Sequence, residues 1–322
     1  VNALLAPGAE LKEALLPTEA LFASIGVTEN LSLEAFVQFD WEETRLPSCG
    51  TFFSTTDLIG DGCNDGFYVG TESGVAGSDL TRLPRGEDIE ADDSGQFGFA
   101  ARYYIESIET EVAGYFINYH SKTPLLSGYV PELTADSVTA VTNLFAGGLI
   151  AAGVPAANAG AIAGAYVGTP VGTAFTDDPT SLQDFRDAVV GRSPSLMAAL
   201  LPDGSYFVEY PEDIQLFGVS FSTTLDFGLP GGASSFSGEL SLRKDQPLQV
   251  EDGVLLGGML GLPGALCADS PTAYDCFSEY KGGDYIQGYI EEDYYQAEFS
   301  MIHFFDRFLG AERWTFVADV AF

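Results

Sequence analysis

Between Thr56 and Gly66, Asp57, Asp61, Asn64 and Asp65 gather hard oxygen donors on a loop loosened by Gly60, Gly62 and Gly66. Calcium takes ligands of this kind, although no glutamate closes the loop at the twelfth position as in an EF-hand. The same residues also suit an acidic turn pinned by a neighbouring disulfide, and both readings stand. A second acidic run, Glu87 to Asp93, reads as solvated loop. The four cysteines fall into two local pairs, Cys49 with Cys63 and Cys267 with Cys276. Neither pair has zinc-ligand spacing, and His120 and His303 lie far from both in sequence, so two loop disulfides in an oxidising compartment fit better. Each bridge would stabilise its loop by about 2–3 kcal/mol.

Asn118, His120 and Ser121 are the one grouping with a nucleophile and a base. A hydrolase needs both converging with an orienting group. On a strand His120 and Ser121 point to opposite faces, which favours a structural, hydrogen-bonded histidine. The chain has no GxSxG elbow, Walker loop or HExxH motif, so no enzymatic machinery is expected.

These side chains must be positioned by strands, because period-two alternation dominates the chain. In Leu31 to Glu42 one face carries Leu31, Leu33, Ala35, Val37, Phe39 and Trp41, and the other carries Ser32, Glu34, Phe36, Gln38, Asp40 and Glu42. Gln96 to Glu106, Glu111 to His120, Asp213 to Leu225, Ser234 to Arg243, Tyr285 to Phe305 and Arg313 to Phe322 read the same way, as does Glu19 to Val27 before them. Their lengths suit membrane strands with an apolar outer face and aromatic ends. On that reading Glu34, Gln38, Asp40, Glu42, Gln96, Arg102 and Glu298 face a lumen. A mostly acidic lining of this kind favours cations and neutral solutes over anions.

The strands pair through short turns near Thr28–Asn30, Glu109, Gly228–Gly232 and Gly310–Ala311. Long stretches, Thr44 to Gly95, Ser121 to Glu212 and Lys244 to Asp284, separate the pairs and read as irregular. Short turns alternating with long loops is the outer-membrane barrel layout, whereas a β-sandwich has more even spacing. With short turns facing the periplasm, both termini would lie outside the cell, so further strands are expected before Val1 and after Phe322. Residues 131–204 read as an Ala/Gly-rich helical insertion in one loop. Ser181 to Leu201 is its helical part, serving either as a lid or as a packed decoration. No run of eighteen apolar residues is present to form a spanning helix.

Charge narrows the partners. With 47 acidic against 13 basic residues, the net charge of -34 repels phosphate backbones, so no nucleic-acid role is expected. The 24 Phe and 15 Tyr argue for a folded chain despite that acidity.

Several motifs resemble one known family. They are Ala6 to Ala14 (APGAELKEA), Val37 to Leu46 (VQFDWEETRL), Ser94 to Gly98 with Ala101 to Tyr103, and Asn118 to Ser121. Tyr206 to Ile214 (YFVEYPEDI), Ser237 to Leu240 and His303 to Phe305 complete the set. The chain resembles the proteobacterial domain-of-unknown-function family 1302 over nearly its whole length, the Ala/Gly-rich insertion excepted. The resemblance implies an outer-membrane barrel longer than this chain, and transport or export of hydrophobic compounds. It also implies periplasmic or lipoprotein partners and an exporter, and it supplies no catalytic residues.

The expectation is therefore an all-β, antiparallel transmembrane β-barrel. Residues 1–322 would form part of a larger wall with long extracellular loops and the helical insertion at 131–204. Its role would be a channel or export component for hydrophobic or amphipathic small molecules in the bacterial outer membrane, in contact with outer-membrane lipid. A calcium-stabilised structural or adhesive surface protein and a barrel hydrolase using His120 are the alternatives.

Overall fold

A computed structural model describes residues 15–54, 58–60, 66–68, 82–131, 153–164, 204–251, 283–306 and 310–322, with a few single positions outside these segments. The strands are β1 (Ala20–Gly26), β2 (Leu31–Gln38), β3 (Phe67–Tyr68), β4 (Arg82–Leu83), β5 (Phe97–Ile105), β6 (Thr110–Tyr119) and β7 (Leu125–Tyr129). They continue with β8 (Ser205–Glu209), β9 (Ile214–Leu225), β10 (Ser234–Gln249), β11 (Tyr285–Ile286), β12 (Tyr289–Asp306) and β13 (Arg313–Ala321).

Eight of these form one antiparallel sheet in the order β1-β2-β5-β6-β9-β10-β12-β13. The alternation's strands and hairpins are found in this sheet, except that the strand expected over Tyr285 to Phe305 is split, β11 joining a second sheet and β12 this one. The fold is mostly antiparallel β. A short helix runs over 156–164 within the expected insertion and buries Ala159 and Ala163. Ser181 to Leu201 lies outside the described residues. Among the described residues no helix is long and apolar enough to cross a membrane.

Directly paired residues share a face of a sheet, so the registers trace each face across the wall. One row reads Ile25, Leu33, Ala101, Gly114, Val219, Leu240 and Ala297. The next row toward the long connections reads Ala23, Ala35, Phe99, Phe116, Phe217, Leu242 and Tyr295, with Phe116 and Phe217 ring centroids 4.9 Å apart. This apolar face is open rather than packed: Val219 and Phe99 are each 56% exposed and Leu240 is 51% exposed. It ends in polar rows, Thr110–Thr223 on one side and Asn118–Gln215–Lys244 on the other. The opposite, polar face carries the row Ser32, Arg102, Ala113, Ser220, Glu239 and Glu298.

The short turns step along the wall. The last pair of the first hairpin, Gly26–Ser32, stands in the row of Arg102, three residues short of the second hairpin's last pair, Ile105–Thr110. That pair meets Thr223, two residues short of Leu225–Ser234. Ser234 in turn bonds His303, three residues short of Asp306–Arg313.

At the other end, the long connections build a small second sheet, β11-β7-β8. The stretches read as irregular, Thr44 to Gly95, Ser121 to Glu212 and Lys244 to Asp284, thus contain β3 and β4, β7 and β8, and the last residues of β10. Most of the buried side chains cluster in this cap: Phe207, Val208, Leu83, Ile286 and Met259 are each about 1% exposed or less. Segment 84–90 runs beside β8, with Gly86 and Ile89 donating to Tyr206 and Val208 carbonyls. Trp41 also differs from expectation. The strand ends at Gln38, and Trp41 turns into the cap edge-on to Tyr210 at 4.8 Å, its indole N–H donating to the Ser121 carbonyl at 3.3 Å.

Cap and wall are stitched by Gln249, the last residue of β10. Its amide oxygen accepts from the Leu126 N–H at 2.6 Å, while its nitrogen donates to the Leu126 and Gly288 carbonyls at 3.1 and 2.7 Å. A side chain here completes the ladder that a strand would otherwise supply.

Candidate functional site

The polar face carries charged side chains of the wall. Arg102 stands between Glu34 at 3.5 Å and Glu111 at 3.8 Å, bridging β2, β5 and β6. These groups are partly exposed, so the pairs hold side-chain positions more than they stabilise the sheet. Arg243 stacks on the Tyr294 ring at 5.8 Å. Glu239 on β10 lies directly opposite Glu298 on β12. Tyr115 lies flat over Gly218, where an added Cβ would come within 2.1 Å of its ring. Its buried hydroxyl lies within reach of the Glu239 carboxylate but has no hydrogen bond of normal geometry.

Four of the side chains expected to line a lumen, Glu34, Gln38, Arg102 and Glu298, share this polar face. The other three are placed differently. Gln96 is 1% exposed and packs beneath the cap, its oxygen accepting from the His120 N–H at 3.4 Å. Asp40 and Glu42 follow the strand's end, with Glu42 paired to Arg45 at 3.3 Å.

The histidine group is not assembled for nucleophilic chemistry. His120 Nε2 lies 2.7 Å from the Ser94 carbonyl, which requires a proton on Nε2, and Nδ1 accepts from the Asp213 N–H at 3.0 Å. Both ring nitrogens are held by backbone. Ser121 Oγ donates to the Thr123 carbonyl instead, and Asn118 donates to Gly95 and Asp213. The group ties three connections together at the rim of the wall.

Asp57, Asp61, Asn64 and Asp65 lie outside the described residues, as do Cys63, Cys267 and Cys276. Among the described residues no three His, Cys, Asp or Glu side chains are grouped to hold a metal. Cys49 lies in a turn where a Cβ added at Gly62, the neighbour of Cys63, would stand 3.8 Å from its own Cβ.

One polar centre escaped the sequence reading. Glu209 is 7% exposed in the cap sheet. It accepts hydrogen bonds from Ser127 Oγ and, at 2.7 Å, from the Tyr285 hydroxyl, while Ser127 Oγ accepts from the Gly288 N–H at 2.9 Å. Burial first, and the Glu209 carboxylate second, push the Tyr285 hydroxyl above the ordinary tyrosine range. Tyr210 is raised for the same reasons, with Glu43 as its partner. Residues 127, 209 and 285 are too far apart in the chain for any motif to join them.

No curated protein and no solved structure matches the chain. One family model does match, described as "Protein of unknown function (DUF1302)", and it covers residues 1–322. A chain with this wall, these hairpins and a match along its full length belongs to the DUF1302 family.

Proposed function

We propose that this chain forms wall and cap of an outer-membrane β-barrel that serves, without catalysis, as a channel or export component for hydrophobic or amphipathic small molecules. The observation that carries the reading is the apolar face, which continues through all eight strands of the wall and is covered by nothing in the described chain. Soluble monomers rarely leave an apolar surface of that extent to water, and a lipid environment removes the cost.

Two geometric features support the same reading. Along β6 the apolar face is bounded by Thr110 and Asn118, about 27 Å of strand at about 3.4 Å per residue. The stepping turns accumulate about 8 residues of offset over about six strand spacings of about 4.8 Å. Bringing the turns into one plane therefore inclines the strands by about 43°, within the tilt of membrane barrels. The edges of β1 and β13 are unpaired within the described sheet, and in this reading they continue into further wall.

With short turns in the periplasm, the cap faces outward, where oxidising conditions suit Cys49–Cys63 and Cys267–Cys276 disulfides. Lipid is the first partner, and a periplasmic or lipoprotein component and an exporter fit the role. The test is insertion of the purified, refolded chain into planar bilayers and detergent-resistant, heat-modifiable migration on gels. Discrete current steps and a heat-dependent mobility shift are expected. A protein that stays monodisperse in buffer without detergent would overturn the proposal.

A further inference from the structure

The polar face is zoned along the strands. In the row nearer the cap, Phe22, Phe36, Ile117 and Leu216 stand on neighbouring strands, with Gly98 between Phe36 and Ile117, and the row ends in Arg243 stacked on Tyr294. The Phe36 ring fills the space above Gly98, where an added Cβ would meet it at 2.4 Å. Four residues nearer the short turns, the face changes to Ser32, Arg102, Ser220, Glu239 and Glu298. Water alone would not select the first row, because Phe22 remains 62% exposed there.

The second zone has an electrostatic peculiarity. Like charges placed directly opposite on neighbouring strands destabilise a sheet, yet Glu239 faces Glu298. Neither carboxylate forms an ion pair among the described residues: on the same face Arg102 and Arg313 are paired with other carboxylates, and Arg243, four residues along the strand from Glu239, stacks on Tyr294. Tyr115 joins the zones, its ring lying across Gly218 between Leu216 and Ser220 and its buried hydroxyl within reach of the Glu239 carboxylate.

Resting on the reading of this face as the lining of a conduit, we propose that it takes a cationic amphiphile. The hydrocarbon part lies on Phe22, Phe36, Ile117 and Leu216, and the ammonium head lies between Glu239 and Glu298. Charge complementarity selects the head: a cation relieves the repulsion of two facing carboxylates, and an anion adds to it. The ring of Tyr115 offers an apolar surface beside the head. Leu216 and the carboxylate pair are about 15 Å apart, counting four residues along the strand and one or two strands across. An extended dodecyl chain spans that distance. Neutral amphiphiles gain only the first contact, and small cations only the second.

The experiment is block of ion current through the bilayer-inserted full chain by three probes: dodecyltrimethylammonium, tetramethylammonium and dodecyl sulfate. Dodecyltrimethylammonium should block at concentrations at least tenfold below either of the others. The isosteric double variant Glu239→Gln/Glu298→Gln should erase the preference for the cationic head while chain-length dependence persists. Leu216→Ser, on a separate strand, should weaken the advantage of the dodecyl chain while the charge preference persists. Equal block by cationic and anionic dodecyl probes, or variants that leave both preferences intact, overturns the inference while the conduit stands. A chain that inserts no conductance at all defeats the conduit, and this inference with it.

Discussion

Replacing Val219 with arginine separates a wall in lipid from a sheet in water. Val219 sits mid-row on the apolar face between Gly114 and Leu240 and is 56% exposed. In water, a substitution at so open a site changes stability by about 0.5 kcal/mol or less. At the middle of a bilayer the same arginine costs about 2–4 kcal/mol, falling to about 0–1 kcal/mol near the interface. Leu225 supplies the internal control, since it lies on the same strand and face and is 43% exposed. Six residues separate the two sites, about 20 Å of strand at about 3.4 Å each. Inclined at about 43°, that becomes roughly 15 Å of depth, half of a hydrocarbon core. Val219→Arg should therefore lose about 2–3 kcal/mol more than Leu225→Arg, a factor of roughly 30–150 in the folded-to-unfolded ratio. The assay is equilibrium urea unfolding from phospholipid vesicles, followed by tryptophan emission and gel mobility. If the two variants agree within about 0.5 kcal/mol, the apolar face does not sit in lipid.

Other expectations test particular contacts. Gly218→Val forces a branched side chain into the Tyr115 ring and should cost about 1–3 kcal/mol, with Tyr115→Ala in the same chain recovering part of it in a double-mutant cycle. Tyr285→Phe removes one of the two hydroxyls that hold the buried Glu209. It should lower cap protection in hydrogen exchange by about 1.5–3 kcal/mol while leaving β5 and β6 unchanged. Burial, then hydrogen-bonded carboxylates, raise the Tyr210 and Tyr285 hydroxyls, so the folded cap holds protons that the unfolded chain releases near pH 10. The cap should keep its stability through neutral pH and lose it as pH climbs above about 10, read as delayed tyrosinate absorbance at 295 nm. Disulfide pairing of the four cysteines should show as an intact mass that rises on reduction, with no free thiol labelled beforehand.

The wall was legible because each of its strands is wetted differently on its two sides. Leu31, Leu33, Ala35 and Val37 alternate with Ser32, Glu34 and Gln38, and that rhythm survives whichever solvent each face meets. The cap strands lack it. Leu125–Tyr129 and Ser205–Glu209 are buried on both faces, so they read as short apolar runs without a period. β11 has two residues, too few to carry one. The far end of β10 was obscured by its register shift between Arg243 and Gln246, where Asp245 has a φ of 56°, and by Pro247. His120 could be read as structural because strand parity parts it from Ser121. The Ser127–Glu209–Tyr285 centre could not be, because only tertiary folding brings those positions together. Glu34, Arg102 and Glu298 share one face, as their strand parity indicates. Gln96 shares that parity, but parity says nothing about burial, and Gln96 is 1% exposed.

The Gln249 amide makes the cap and the wall mechanically continuous. Three hydrogen bonds made by one side chain couple β10 to the small sheet, so a force on that sheet is passed into the strands of the wall. Cutting this one rivet should loosen both ends of the load path together.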